Sequence, residues 1–331
     1  FKNDRPDRVY VFNGRFAPMR AVLRACQMAG IDCLIHERGC DTGHFQLFRN
    51  QLPHDINYIE RRMRRLWNRA ARNPDRRSKA AGWFHGRVQR IERNWHSFVK
   101  DQKRGRLPDG WNPWQHNVVV FTSSEDEFVA IGDCWSNGLY SDQGKAIHRI
   151  ATQLATSRPE ARITVRMHPN LAGLDNPSTR RMRDLDLANV RVIPPEANID
   201  SYQLMRVADT VATFGSSIGI EAVYWSKPSV LLGHCFYKNL AGPYRPDDHE
   251  HTILLLSKNL MPATQHEALI YGYWQNTHGI AFQYFEPDDN LFTGRFKGQA
   301  IYPKPPKSDA LTRKLASLRK RIQTGEKRRA A

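Results

Sequence analysis

Two motifs and one glutamate carry side chains suited to hold a phosphorylated ligand. Arg166-Met167-His168-Pro169-Asn170 follows an apolar run that reads as a parallel strand. In open α/β sheets, ligands bind at the carboxyl ends of the strands. Pro169 ends the strand sharply, so His168 projects into the crevice beyond it. There its imidazole can donate to a phosphate oxygen, and it charges more readily beside a dianion. The same histidine can also be a satisfied group in a tight turn. Phe214-Gly215-Ser216-Ser217-Ile218-Gly219 follows a second strand. Gly215 permits a close turn, and two hydroxyls with backbone N–H groups then open a helix, an arrangement that receives phosphate. Serine here also serves as an ordinary N-cap. The stretch is neither a GxGxxG nor a Walker loop. One turn on, Glu221 can accept both ribose hydroxyls of a nucleotide, or face solvent.

Further groups follow other strands. Thr122-Ser123-Ser124-Glu125-Asp126 faces the same crevice, or its acids cap a helix. Near the start, Asn13-Gly14-Arg15 and His36-Glu37-Arg38-Gly39 both end strands and face a cleft. Glu37 or Asp41 can take a proton from an acceptor hydroxyl if a neighbouring cation keeps it ionised. A strand-end glutamate can also be merely salt-bridged. Arg15 and Arg38 can offset charge on a leaving nucleotide or bind an acidic acceptor. No metal is called for: Asp184-Leu185-Asp186 lies in a charged, helical stretch, and Asp247-Asp248-His249-Glu250-His251 reads as a solvated loop.

The elements that must position these groups alternate. A strand over 8–12, a helix over 17–29 stopped at Gly30, and a strand over 32–36 predict a parallel pair with a right-handed crossover. Two Arg-rich helical stretches follow, 57–72 and 82–104. In the first, Ile56, Ile59, Met63, Leu66, Trp67 and Ala70 recur at helical spacing, which makes a basic amphipathic helix that packs on a core or docks at a membrane interface. A Pro-, Gly-, Asn- and Trp-rich linker spans 107–115. Strands over 117–122, 162–167, 190–193, 210–214 and 229–232 then alternate with helices over 142–156, 201–207 and 216–225, the sign of a doubly wound parallel sheet. A terminal helix is expected over 311–323.

The chain has 331 residues, 40% hydrophobic and 10% aromatic, a globular composition with room for two domains. Its longest apolar runs are strand-sized, and no signal peptide is apparent. Phe1 in place of Met suggests a piece of a longer product. Five cysteines without a CxxC pair (Cys26, Cys33, Cys40, Cys134, Cys235) fit reduced thiols in a cytosolic protein, not a disulfide framework or a zinc site. Net charge is +17, with 16 Lys/Arg against four acids over 57–107 and a second basic cluster over 313–329. Such charge favours anionic partners. No helix-turn-helix, zinc-finger or RNP pattern supports nucleic acid among them.

Taken in this order, RMHPN followed by ADTVATFGSSIGIEAVYWSKPSVLL resembles the C-terminal half of bacterial capsule and lipopolysaccharide glycosyltransferases of GT-B fold, including Kdo-transferase-like capsule proteins. The His-Pro and Ser-Ser pairs also resemble motifs of sialyltransferases and CDP-polyol phosphotransferases. The resemblance covers about 118–237 well, and VYVFNGRFAPMRA and HERG less strictly. It implies an α/β, GT-B-like fold of two Rossmann-type domains with a cleft between them, the N-terminal one incomplete or carrying the Arg-rich helical insertion. The domains would span 1–112 (acceptor side) and 113–305 (nucleotide-sugar side), with a basic helix and tail over 306–331. His168, Pro169 and Asn170 with Ser216 and Ser217 would hold the donor phosphate, Glu221 the ribose and the 194–198 loop the base. Ser123 and Ser124 would face the same cleft. Glu37, Asp41 and Arg15 would act on the acceptor side. The implied activity is metal-independent transfer, without a cofactor, from a nucleotide-activated sugar (a CMP-linked, Kdo-like acid) to a capsule or lipopolysaccharide glycan. The alternatives are a UDP- or GDP-sugar, a CDP-polyol, or a basic nucleic-acid-binding protein. The basic segments would hold the enzyme on the anionic cytoplasmic leaflet near lipid-linked acceptors.

Overall fold

The computed structural model describes residues 5–91, 97–125, 131–132, 135–288 and 293–301. The basic cluster over 313–329, the helix expected over 311–323, Cys134 and Asp126 lie outside the described residues.

The first strand, β1 (Arg8–Phe12), and the next, β2 (Asp32–Arg38), pair in parallel around helix α1 (Ala17–Ala29), as the strand–helix–strand pattern predicts. Gly30 ends α1 in the left-handed conformation that glycine adopts without strain. A strand that the pattern missed, β3 (His44–Arg49), folds back antiparallel on β2. Its Gln46 and Phe48 are buried while the apolar Phe45 and Leu47 lie on the other face, so the sequence carried no clean apolar alternation to mark it.

Helix α2 (Ile56–Arg69) buries Ile56, Ile59, Met63 and Trp67 and turns Arg61, Arg65 and Arg69 outward, while Arg62 lies over the Phe48 and Trp274 rings and Arg64 pairs with Glu60 and Glu267. The apolar stripe is therefore a core face. The second Arg-rich helix is displaced and shorter than expected: α3 spans Arg76–Gln89, not 82–104. Arg90 stops it at φ +65, and its guanidinium then bonds the carbonyl oxygens of Gln102 (2.6 Å) and Lys100 (3.2 Å). Those bonds reward the chain for turning back rather than continuing as a helix.

The second sheet is all parallel, in the order β6-β5-β4-β7-β8: β4 (His116–Phe121), β5 (Ala161–Arg166), β6 (Val190–Ile193), β7 (Thr210–Thr213) and β8 (Ser229–Leu231). Every residue of β4 is buried, as a strand covered on both faces must be. Val118 and Val120 pack on one side against Ile147, Ile150 and Leu154 of α4 (Gln143–Ser157). Val119 and Phe121 pack on the other against Leu204 and Met205 of α6 (Ser201–Val207). A short α5 (Pro177–Arg183) lies between β5 and β6, α7 (Ile218–Tyr224) follows β7, and α8 (His249–Ser257) follows β8. The chain winds from β4 outward in both directions, so the carboxyl ends of β4, β5 and β7 meet at the switch point, where such sheets bind ligands.

Helix α9 (His266–Thr277) lies in the span assigned to the second domain, yet it packs on α2 and α3. Its Leu269, Ile270 and Trp274 share one core with Ile35, Met63, Trp67 and Phe84. Gly272 allows this approach: a Cβ there would stand 2.5 Å from the Ala80 carbonyl oxygen and 2.5 Å from the Phe84 ring. The described residues divide into a compact unit up to Ile280 and a second that begins at Ala281. The latter carries a small antiparallel sheet of β10 (Phe285–Pro287), β11 (Gly294–Phe296) and β12 (Gln299–Ala300), preceded by the two-residue β9 (Ile280–Ala281). No helix among the described residues is long and apolar enough to cross a membrane.

Candidate active site

A cavity of about 420 Å³ opens at the switch point of the parallel sheet, within the first unit. The end of β4 contributes Thr122, Ser123 and Ser124. The end of β5 contributes Arg166, His168 and Pro169, and the β7–α7 turn contributes Gly215, Ser216, Ser217 and Glu221. The opposite wall comes from Trp83 and Arg87 of α3, Phe98, Cys40 and Tyr271 of α9. Seven of the eight donor-side residues expected from the sequence thus line one space. The eighth, Asn170, is exposed beside it, with its Nδ2 3.5 Å from Ser124 Oγ.

His168 is oriented by its neighbours. Its backbone amide donates to Thr122 Oγ1 (3.0 Å), and its Nδ1 accepts from the Asn170 amide (3.1 Å). An amide only donates, so Nδ1 carries no proton and Nε2 carries it. Phe98 packs edge-on at 5.1 Å. Burial, and then the charges of Arg166 and Arg87, push the His168 pKa down to about 4. At neutral pH the site therefore holds a neutral imidazole that presents one N–H donor.

The β7–α7 turn differs from an open cradle of amides. Gly215, at φ +149, and Ser216 both donate their amides to Thr213 Oγ1 (3.2 and 2.9 Å), and the Ile218 amide reaches Ser216 Oγ at 3.4 Å. Thr213 takes amides that were expected to face a phosphate, so the hydroxyl of Ser216 is the better placed donor. Ser217 makes no side-chain cap and donates instead to Glu221 Oε1 (2.8 Å).

Glu221 is fully buried, and Tyr202 donates to its Oε2 at 2.7 Å. Arg87 Nε stands 3.6 Å from Oε1. The carboxylate therefore reaches the cavity already partnered, and a ribose would share it with Tyr202 and Ser217. Burial alone would lower the Arg87 pKa, but Glu221 and Tyr202 outweigh it and hold the guanidinium charged. Burial raises Tyr202 far above the usual tyrosine range, with Glu221 adding to the effect.

Arg87 and Arg166 are the two cavity cations that sequence reasoning missed. Arg166 is 2% exposed and donates to the carbonyls of Pro194 (2.6 Å) and Ala197 (3.1 Å), so it fixes the 194–198 loop. Burial lowers its pKa to about 10, which leaves it charged at neutral pH. It stood inside the quoted motif, but strand position gave it no role. Arg87 was hidden among 16 basic residues; its spacing from the buried Phe84 and Ala80 was the available signal.

The acid expected to face the cleft after β4 instead ties elements together. Glu125 accepts from the Gln143 amide and, at 2.6 Å, from the Ser178 hydroxyl, so the capping alternative describes it. Ser123 is bonded on both sides to Gln143.

On the N-terminal side the structure places Glu37, Asp41 and Arg15 outside the residues that line the cavity, although Cys40 between the two acids does line it. Glu37 accepts from Asn13 Nδ2 (2.7 Å) and the Arg38 amide (2.9 Å). Asp41 accepts from the Gly43 amide (2.9 Å) and pairs with His44 Nδ1 (2.6 Å). Arg15 lies over the Phe16 ring at 5.0 Å. The 247–251 stretch does not converge on an ion: Asp248 caps α8, while His249 bonds Tyr140 and Gln153.

Burial sets an acid limit on the fold. His54, His168 and His278 all have pKa values pushed down to about 4, from an ordinary 6.5. The unfolded chain binds these protons first, so stability is complete above about pH 6.5 and is lost as pH falls toward 4, on the order of 3 kcal/mol per histidine. Urea unfolding between pH 7 and 4 should show this slope, and His168→Gln should flatten it; an unchanged slope would count against a neutral, buried His168.

Residues 124–242 match the family model described as capsule polysaccharide biosynthesis protein. No curated protein matches the sequence significantly. Among solved structures, the chain is similar to the Thermosulfurimonas dismutans KpsC beta Kdo 2,4 transferase, with 17% identity over 80% of this chain and 79% of that one, at a TM-score of 0.52. It is also similar to the beta Kdo 2,7 transferase of the same KpsC, with 15% identity over 81% and 90%, at a TM-score of 0.42. The residues that bear the site, Ser124, His168, Ser216 and Glu221, thus fall within the segment, 124–242, that matches the model of the capsule polysaccharide biosynthesis family, and the chain carries it in a GT-B-like α/β fold.

Proposed function

We propose that the chain is a glycosyltransferase that moves a sugar from a nucleotide-activated donor to a growing capsule or lipopolysaccharide glycan, with a CMP-linked, Kdo-like acid as the donor. One observation carries this reading. The cavity holds two arginines, Arg87 and Arg166, against a single carboxylate, Glu221, so its lining retains one positive charge. A CMP-linked acid brings negative charge to meet it, one on the phosphodiester and one on the sugar carboxylate. The neutral His168 Nε2–H and the Ser216 hydroxyl supply donors to its oxygens. The aromatic wall of Trp83, Phe98 and Phe121 suits a nucleobase and sugar.

In the reaction, an acceptor hydroxyl oxygen bonds to the anomeric carbon while that carbon's bond to the phosphate oxygen breaks. The nucleotide leaves with the bonding pair, and the acceptor proton passes to a base. Arg87, Arg166 and His168 offset the charge on the departing phosphate, so this reading needs no cation. Glu37 and Asp41 are the proposed acceptor-side bases, both at the end of β2 beside the cavity residue Cys40. Glu37→Gln or Asp41→Asn should lower turnover about 100-fold or more, within the range of general-base contributions, while nucleotide affinity stays unchanged. Full turnover in both variants would remove this assignment.

Thermal shift and calorimetry against CMP, CDP, UDP, GDP and ADP test the donor. Selective stabilisation by cytidine nucleotides supports the CMP reading. A preference for UDP or GDP moves the donor and keeps the transferase, and no response to any nucleotide removes the proposal. Product analysis separates a glycosidic bond from the phosphodiester that a CDP-polyol donor would give. The anionic cytoplasmic leaflet is the proposed working surface, supported by the exposed Arg61, Arg65 and Arg69 of α2.

A further inference from the structure

We infer that Cys40, Asp41 and His44 form a Zn²⁺ site at the end of β2. Their ligand atoms, the Cys40 thiol sulfur, an Asp41 carboxylate oxygen and a His44 ring nitrogen, all lie within 4.8 Å of one another. Ligands around a tetrahedral zinc at about 2.0–2.3 Å stand roughly 3.3–3.8 Å apart, so side-chain rotation alone closes the set.

The turn that carries them is already built. Gly39 donates to the His44 carbonyl (2.8 Å), and His44 donates to the Asp41 carbonyl (3.2 Å). A Cβ on Gly39 would stand 2.5 Å from His44 Cβ, so only glycine lets the imidazole fold back over the strand end. The Cys40 amide is held by the His278 carbonyl at 2.9 Å. Asp41 Oδ1 and His44 Nδ1 are 2.6 Å apart with a proton between them, and a metal ion replaces that proton.

The donor set selects the metal. A thiolate with an imidazole is too soft for Mg²⁺ or Ca²⁺ and suits zinc, with one carboxylate completing three protein ligands. The fourth position is left to water or to an oxygen of a ligand, as in zinc sites that are not closed. Cys40 lines the cavity, so the ion stands beside the bound substrates rather than in a remote structural knot. The absence of a CxxC pair made the cysteines look inert in the sequence. The site instead uses one cysteine with partners one and four residues later, Cys-Asp-Thr-Gly-His.

The test uses the full chain freed of metal by chelation. Calorimetry should show stoichiometric Zn²⁺ binding. Co²⁺ should give the thiolate-to-metal charge-transfer absorption and the visible bands of a tetrahedral site. Cys40→Ser and His44→Gln should each weaken Zn²⁺ affinity by about 100-fold or more, since even outer-shell partners are worth about 10–100-fold. His251→Gln, in the other His- and Asp-rich stretch, should leave it unchanged. Metal-free melting curves of the variants check that they fold. No charge-transfer band in the unmodified chain, or Zn²⁺ binding that survives both ligand substitutions, overturns the site. Neither result bears on the nucleotide reading, which rests on His168, Ser216 and Glu221; with zinc bound, Asp41 is a ligand and Glu37 alone remains as the acceptor-side base.

Discussion

Replacing His168 by alanine is expected to weaken binding of the cytidine nucleotide about 10- to 100-fold and to abolish most of its thermal stabilisation. The imidazole has its Nδ1 fixed by the Asn170 amide, so Nε2–H points away from that bond as a pre-oriented donor. A hydrogen bond to a charged group is worth about 1.5–3 kcal/mol, which corresponds to that range of affinity. The backbone role of the residue, donation to Thr122 Oγ1, survives in alanine. The variant should therefore melt close to the parent when nucleotide is absent. Nucleotide affinity that is unchanged, with the fold intact, would mean that the phosphate sits elsewhere. His168→Gln, whose amide nitrogen matches Nε2 in reach, should recover part of the loss.

Removing the charge of Arg87 should produce the largest change in stability. Arg87→Met leaves Glu221 as a fully buried carboxylate held only by Tyr202 and Ser217. Breaking a buried pair at one partner costs about 3–5 kcal/mol. Arg87 is itself 35% exposed along its side chain, so about 3 kcal/mol, the lower end, is expected. Glu221→Gln alone keeps two hydrogen-bonding atoms but leaves the arginine without its anion. The double variant removes both charges and should be more stable than the sum of the single losses, a coupling that urea unfolding measures directly. Additive losses would show that the 3.6 Å pair contributes nothing of its own. Nucleotide response should fall in Arg87→Met and persist better in Glu221→Gln, since only the first removes positive charge from the cavity.

The donor side of the site was legible for a physical reason. A parallel sheet places the end of each strand on the same edge, so RMHPN after β5 and FGSSIG after β7 had to converge once the strands were recognised. What the neighbours of those residues do was not legible. Thr213 uses its hydroxyl to take two amides of the Gly-Ser turn, and a threonine within a strand carries no sign of that. Glu125 could face the crevice or cap a helix on sequence grounds, and the positions of Gln143 and Ser178 decided between them. The acceptor side was least legible: Glu37 and Asp41 stand at the expected strand end, but their partners Asn13 and His44 depend on a left-handed Asn13 and a hairpin to β3.

Taken alone, the amino-acid sequence determined the alternation of strands and helices, the parallel sheet and the residues at its ligand-binding edge. Those features rest on local periodicity, glycine and proline, which act within a few residues. The tertiary structure alone decided that Arg87 leaves a basic surface helix to meet Glu221 and that Arg166 braces the 194–198 loop. It also decided that α9 returns to the N-terminal helices through Gly272. Each of these joins residues far apart in the chain through burial and charge. A period of 3.6 or 2 carries no information about which buried cation will meet which buried anion.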